Sequence, residues 1–493
     1  MAERTVTSYK VLVGLEIHVQ LATRSKMFAA VANGATNFGA EPNSLVDEVV
    51  IGLPGTLPVM NRQAVEYSIM VGLALGCQIA RHSKWDRKSY YYPDLPKNYQ
   101  ISQYDLPLCG AGTFDMPGED GRPRTIRIRR AHLEEDAGKL LHEAPGGFRI
   151  DHSIVDLNRA GTPLLEIVTE PDFSTPKEVA TFGQELQRLV QFLGVSEGQM
   201  QMGHMRFEPN INLHITDEHG QVHKTAITEI KNLNSFSVLE RATAYEIQRQ
   251  LQQWIETGSL GRKSTYGWDE SREQTFHQRD KEEAHDYRYF PDPDLAPVEV
   301  SDAWLSDLKS QVGELPAARR QRYVDALGLS PADAATLAGD RATGDYYERA
   351  IKHGGEPRRV SNLILSHGRR LCNEKACALN ELGILPERVA EIAGLIDQNK
   401  VAPSSVGPIF DKLMEEDAPA EEIAKSLNLI QTSDTGAIDA AIEALIARNP
   451  PPLADFRAGK QQAMGALVGM IMKSGMGLNP KMVQERLRQR LTS

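Results

Sequence analysis

Over residues 1–296 the apolar positions recur mostly at period two, in short runs broken by Gly and Pro. Lys10–Gln20, Thr125–Glu134, Ser153–Leu157, Pro163–Thr169 and Ile211–Thr216 read as strands. Ala64–Leu75 and Pro176–Leu193 carry apolar residues at i, i+3 and i+4 instead, the spacing of helices that bury one face. The mixture predicts an α+β fold around a large antiparallel sheet. Pro291, Pro293 and Pro297 crowd the segment Tyr289–Pro297, which is expected to end the first domain. Beyond it the pattern is almost wholly helical, punctuated by Pro316, Pro331, Gly344, Pro386, Pro403 and Pro450. The expected layout is a domain over 1–296, a helical linking region over 297–345 and a helical tail over 346–493.

Composition narrows the class. With 493 residues, 41% apolar and 25% charged, the chain is globular and long enough to bury sizeable cores without staples. A net charge of −11 argues against general nucleic-acid binding, so any RNA contact needs a local basic patch. The tail offers one. Asp411–Glu443 holds nine acids and two lysines, whereas Leu453–Ser493 holds seven Lys/Arg against two acids, among them Lys460, Lys473, Lys481 and Arg486. Charge alone fits either an RNA-binding tail or a solvated helix face. Cys77, Cys109, Cys372 and Cys377 form no CxxC and no paired metal spacing, which fits a reducing cytoplasm. Cys77 lies in an apolar run and reads as a core thiol. No apolar run reaches the roughly 18 residues of a membrane span, and Met1–Lys10 lacks a signal-peptide core.

The chain has no GxxxxGK[ST] loop, no GxGxxG after a strand and no GxSxG elbow. Its chemical signals are carboxylates on strands. Glu16 and His18 alternate onto one face of a strand, where they could hold a divalent ion, bond each other, or form a plain polar face. In Ala131–Lys139, His132, Glu134 and Asp136 share one face and Glu135 takes the other. Glu166 interrupts a run that otherwise reads as buried, and an unpaired buried carboxylate costs several kcal/mol. It therefore needs a metal or a cation, with Arg159 a candidate. Oxygen ligands with one histidine suit Mg²⁺ or Mn²⁺ better than Zn²⁺. Such a site, with cations such as Arg87, Lys88, Arg127, Arg129, Arg130, Lys139, Arg206, Lys231 and Arg288, suits phosphoryl transfer. Trp85–Asp94 with Lys97, Tyr99 and Tyr104 interleaves bases and aromatics, as stacking on an RNA base needs and as core tyrosines also would. His214, His219 and His223 have ligand-like spacing, but Asp217–Gly220 reads as a hairpin turn.

Several blocks together resemble the B subunit of aspartyl/glutamyl-tRNA amidotransferases. They are Val13–Leu21, Asp86–Lys88 with Tyr92–Asp94, Tyr99–Gln103, His132–Lys139, Asp156–Leu164 through Glu170–Asp172, Glu229–Phe236 and Asp286–Pro291. In the tail, Ala458–Lys460, Gly465–Gly469, Met472–Lys473 and Asn479–Pro480 extend the likeness, which spans nearly the whole chain in order. The resemblance implies a cradle of the glutamine synthetase/guanidino kinase type followed by helices that hold tRNA. It implies a heterotrimer with an amidase (A) and a small (C) subunit. In it, Mg-ATP phosphorylates the side chain of mischarged Glu-tRNA(Gln) or Asp-tRNA(Asn), and ammonia from the amidase displaces the phosphate. By motif, His18, Glu135 and Glu166, with Glu16 beside them, would hold Mg²⁺, and Glu208 stands where the family has an aspartate ligand. Lys88 would line the ammonia passage, and Arg206 would lie close to the phosphoryl site. Lys460, Lys473, Lys481 and Arg486 would contact tRNA.

The chain departs from the family pattern in Met200–Asn210, where Gln201 replaces an acid, His204 is new and Glu208 is longer by one methylene. His204 is expected to compensate for the missing acid, and Pro209 is expected to put its strand at an edge or on a bulge. Phe28–Thr36 has none of the cysteines with which some relatives bind zinc, so no zinc is expected. Two other readings compete. A ligase that amidates a free amino acid has no use for a basic tail, and a non-catalytic tRNA scaffold has no use for Glu16, His18, Glu135 and Glu166.

Overall fold

The computed structural model describes residues 4–144, 147–280, 284–431, 435–458, 460, 462–473 and 478–492, which leaves Gly459 of the Ala458–Lys460 block outside the described residues. The first unit, Met1–Leu315, is organised by strand alternation. In β1 (Val6–Gln20) the side chains of Val13, Leu15, Ile17 and Val19 are buried in the core, while Glu16 and His18 face the other way.

Around it the chain forms β2 (His82–Ser83), β3 (Asp86–Ser89), β4 (Tyr99–Ser102), β5 (Gly112–Pro117), β6 (Pro123–Glu135), β7 (Lys139–Ala144) and β8 (Phe148–Asp156). It continues through β9 (Pro163–Thr169), β10 (Met205–Asp217), β11 (Val222–Lys224), β12 (Thr228–Lys231), β13 (Ser264–Asp269), β14 (Gln274–Asp280), β15 (Phe290–Pro291) and β16 (Val298–Glu299). Nine of these make one sheet in the order β14-β13-β12-β10-β1-β9-β6-β5, with β11 beside β10. Its pairs are antiparallel except β12 with β13. Three helices, α1 (Arg62–Ala74), α2 (Pro176–Phe192) and α3 (Phe236–Thr257), cover the apolar face through Val65, Ile69, Phe182, Leu186 and Leu239. Asn61, Thr175 and Ser235 cap their N-termini with side-chain oxygens. Cys77 is buried in this core, and burial pushes its thiol up to about 12, which makes it inert.

Two expectations are corrected. Pro209 sits on an interior strand, because β10 pairs with β1 on one side and with β12 on the other. Its register with β1 is unbroken from Val13 to Val19, so there is no bulge. The proline is tolerated because the β10–β12 ladder consists of Asn210 with Glu229 and Ile211 with Thr228, and Pro209 lies just past its end. The expected boundary at 296/297 is also displaced, to Leu315/Pro316. A fourth helix, α4 (Asp302–Val312), buries Leu308 and Val312 in the first core, and Trp304 Nε1 donates to Glu66 Oε1 on α1 at 3.0 Å.

The second unit, Pro316–Ser493, is helical. Its helices α5 (Pro316–Asp325), α6 (Pro331–Ala338), α7 (Arg341–Lys352), α8 (Pro357–Leu363), α9 (Arg369–Lys375), α10 (Pro386–Asp397), α11 (Val406–Leu413) and α12 (Ala420–Ser426) enclose one core. Residues 316–345 are thus part of a folded body and not a linker, with Tyr323, Leu329 and Leu337 fully packed. A further core joins α13 (Thr435–Arg448), α14 (Pro451–Arg457), α15 (Ala463–Met472) and α16 (Pro480–Thr492).

A fragment ending at residue 315 should therefore unfold cooperatively. One ending at 296 loses Val298, Val300, Leu308 and Val312, each buried and each contributing about 1.5–3 kcal/mol. Urea melts of the two fragments should show a clearly lower midpoint for the shorter one. Equal midpoints would place α4 outside the first fold.

Candidate active site

The polar face of the sheet concentrates acid in register. Strand pairing sets Glu166 of β9 directly between His18 of β1 and His132 of β6. It sets Glu16 opposite Glu208 of β10. Two groups of ligand atoms follow, each within 4.8 Å of one another: His18, Glu134 and Glu166, then Glu16, Glu208 and Glu229. His18 Nε2 lies 3.7 Å from both Glu134 Oε1 and Glu166 Oε2, and His132 Nε2 lies 3.3 Å from Glu166 Oε2. In the second group Asn210 Nδ2 donates to Glu16 Oε1 at 3.1 Å and Thr265 Oγ1 donates to Glu229 Oε2 at 2.8 Å. Lys231 ion-pairs with Glu208, and its Nζ is 3.7 Å from Glu229 Oε1.

Burial opposes the charges of His18, Glu166, Glu208 and Lys231, and their neighbours overcome it. Burial alone would lower the pKa of His18, but its hydrogen bond to Glu166 and the charges of Glu208, Glu166 and Glu134 raise it to about 9. Against burial, His132 and then His18 hold Glu166 well below the carboxylate range. Lys231, followed by His18 and Arg206, brings Glu208 down to about 2 in the same way. Glu166 and Glu208 are thus held ionised beside a histidine of raised pKa and a lysine.

Both groups open on a cavity of about 810 Å³. A chain of ring contacts forms one wall, from Tyr92 through Tyr90, Tyr287 and Tyr289 to Tyr104, with Tyr289 and Tyr104 stacked at 4.3 Å. Lys88 reaches the same cavity from β3, its Nζ 4.9 Å from the Tyr287 ring centre. Of the aromatic segment noted in the sequence, Tyr90, Tyr92 and Tyr104 line the cavity, whereas Trp85 is core, edge-on to Phe28.

The floor can hold divalent cations. It offers carboxylate oxygens and one imidazole, the donor set for Mg²⁺ or Mn²⁺. His18 Nδ1 and His132 Nδ1 are buried without a hydrogen-bond partner. Of the residues expected as ligands, His18, Glu166, Glu16 and Glu208 come together here. Glu135 does not. It points to the opposite face of β6, where it pairs with Lys97 and accepts from Ile101 N at 3.1 Å. Glu134 stands in the first group instead, as the alternation in Ala131–Lys139 already implied. Glu229 was not anticipated; its signal was the Glu229-Ile230-Lys231 alternation, which puts acid and base on one face.

Other expectations also change. The partners of Glu166 are histidines and not Arg159, which bonds the carbonyls of Ala137 and Gly138. Arg206 is held by buried Asp136 at 2.7 Å. His204 belongs to neither acidic group and packs on Phe38 at 5.0 Å, where burial lowers its pKa. The compensation expected of it does not occur. His223 bonds Asp217 at 2.9 Å beside the hairpin turn. In the tail, Lys460 pairs with Asp455 at 3.0 Å, and Arg486 and Arg490 of α16 pair with Asp439 and Glu443 of α13. Lys473 and Lys481 are exposed.

Comparison with known proteins decides the lineage. The profile of the GatB/GatE catalytic domain matches residues 11–306, and that of the GatB domain matches residues 345–491. A relative from Carboxydothermus hydrogenoformans, named as the B subunit of aspartyl/glutamyl-tRNA(Asn/Gln) amidotransferase, is 42% identical over 98% of this chain and 99% of its own. Relatives of the same name from Synechococcus elongatus (42%, covering 98% of each chain) and Rhodopirellula baltica (43%, covering 97% and 95%) agree. The chain belongs to the family of amidotransferase B subunits. Among the described residues no helix is long and apolar enough to cross a membrane.

The raised pKa of His18 has a consequence for the cation-free chain. Its contribution to stability is complete below about 6.5, the ordinary value, and is lost as pH rises through about 9. The denaturant midpoint of the native chain should therefore exceed that of His18→Asn at pH 6.5, and the gap should shrink towards pH 9. A gap independent of pH would mean that His18 is not held as a cation.

Proposed function

We propose that this chain is the synthetase component of a tRNA-dependent amidotransferase, a carbon–nitrogen ligase that converts mischarged Glu-tRNA(Gln) or Asp-tRNA(Asn) to the amide. The observation that carries the reading is the double acidic floor beneath an aromatic and basic wall, in a chain that matches its relatives over nearly their full length. Hydroxide is a poor leaving group, so a side-chain carboxylate must be activated before ammonia can replace its oxygen. Phosphorylation by ATP does this. Divalent cations, when bound, screen the charge of the transferring phosphoryl group.

The chain's own residues do the rest. His18, Glu134 and Glu166 would hold one cation and Glu16, Glu208 and Glu229 another, with Glu208 serving despite its extra methylene. Lys88 presents a cation to the cavity from the tyrosine wall, where it can steady the phosphorylated carboxylate while ammonia attacks. Asp136 orients Arg206, whose guanidinium lies beside the floor near Glu208. A cradle of the glutamine synthetase/guanidino kinase type suits this chemistry. Ammonia comes from a partner amidase (A), and a small third partner (C) completes the heterotrimer. Cys77 and Cys109 are buried and burial raises both thiols, so neither offers a glutaminase nucleophile. The basic tail holds tRNA, with exposed Lys473 and Lys481 better placed for phosphates than the paired Arg486 and Lys460. Four free cysteines suit a cytoplasmic enzyme.

The test separates the two adjacent acids of β6. With ATP, Mg²⁺, ammonium and mischarged tRNA, Glu134→Gln and Glu166→Gln should each lower side-chain phosphorylation by about 100-fold or more, with tRNA affinity retained. Glu135→Gln should lower thermal stability, through loss of its Lys97 pair, and keep most of the turnover. Loss of turnover in Glu135→Gln alone, with Glu134→Gln active, would refute the assignment.

A further inference from the structure

Within the site proposed above, the two acidic groups differ in what already sits among them. The first contains an imidazole, which can be a ligand once it gives up its proton. The second contains only carboxylates, and an ammonium is seated there: Lys231 Nζ pairs with Glu208 and stands 3.7 Å from Glu229 Oε1. Lys231 lies two residues from Glu229 on β12, so both project from one face of the strand. Its side chain is 28% exposed and lines the cavity, so the flexible four-carbon stem has open space to move into.

A divalent ion in this group competes with Lys231 for the Glu208 carboxylate, whose Oε2 the ammonium now occupies. Two cations sharing one carboxylate at such a distance repel strongly in a partly desolvated cleft. The ion enters at a cost while the ammonium stays, and leaving deprives a lysine at a mostly buried position of its counter-charges. A polyphosphate entering the cavity removes that obstacle, because its oxygens are a replacement partner for the ammonium. We propose that Lys231 is an internal counter-ion that keeps the second cation position closed until nucleotide phosphates draw it away. The two positions then fill in order: the His18 group first, and the Glu208 group together with ATP. No bond is made or broken in this exchange; one cation replaces another on the same oxygens. The idea rests on the reading of the floor as a cation site.

The experiment measures binding, not turnover. The full chain, in complex with its amidase and small partners, is titrated with Mn²⁺ while the free-ion EPR signal is followed, with and without a non-hydrolysable ATP analogue. The native chain should bind one Mn²⁺ tightly alone and a second tightly only with the analogue. Lys231→Met, which keeps an unbranched stem one atom shorter and without the charge, should tighten the second site about tenfold or more in the absence of analogue, and should weaken analogue binding. Lys231→Arg retains the charge and should keep the second site weak, and Glu208→Gln should lose that site and keep the first. Second-site affinity that is unchanged or weaker in Lys231→Met would overturn the role of Lys231 and leave the cation floor standing. Absence of any Mn²⁺ binding in the native chain, Lys231→Met and Glu208→Gln alike would overturn the floor and Lys231's role with it.

Discussion

Five carboxylates, from Glu16, Glu134, Glu166, Glu208 and Glu229, share one face of a single sheet, and their mutual repulsion has to be balanced at each point by a cation. In the chain as it stands that balance is internal. His18 is protonated between Glu134 and Glu166, Lys231 is seated on Glu208, and Arg206 stands beside the floor on Asp136. Desolvation opposes the charges of His18, Glu166, Arg206, Glu208 and Lys231, so removing one of these cations leaves its carboxylate without its partner. On the function proposed above, the same surface would take divalent cations and place them against phosphate.

The scaffold supplies this concentration of charge cheaply. Alternation along β1, β9 and β10 sends aliphatic side chains to the helices on one side and acids to the cavity on the other. Hydrophobic burial on the first face provides the stability that the second face costs. Antiparallel register aligns the acids into rows, so Glu166 meets a histidine on each neighbouring strand.

Much of this was legible in the residues. Pro163–Thr169 is a strand as read, Lys10–Gln20 lies within β1, and Thr125–Glu134 lies within β6. Period-two patterning also separated Glu134 from Glu135 correctly, whereas transferring a role by family motif chose Glu135, because a motif does not record which face each acid occupies. Glu229 escaped notice because β12 is only four residues long and carries its acid and base without a longer alternation around them. Pro209 misled because a proline signals a missing donor, and only the tertiary pairing shows that the β10–β12 ladder ends beside it. The domain boundary was displaced for a similar reason. Prolines mark a break in local structure, but the burial of Leu308 and Val312 decides which body α4 joins.

The central claim is that the cation floor is built from one face of the sheet and includes Glu134, not Glu135. Anomalous diffraction from crystals of the complex grown with Mn²⁺ and a non-hydrolysable ATP analogue tests it most directly. The account predicts one peak among His18, Glu134 and Glu166 and a second among Glu16, Glu208 and Glu229, with Lys97 still on Glu135. A peak on Glu135 with Lys97 displaced, or no peak on this face of the sheet, would contradict it.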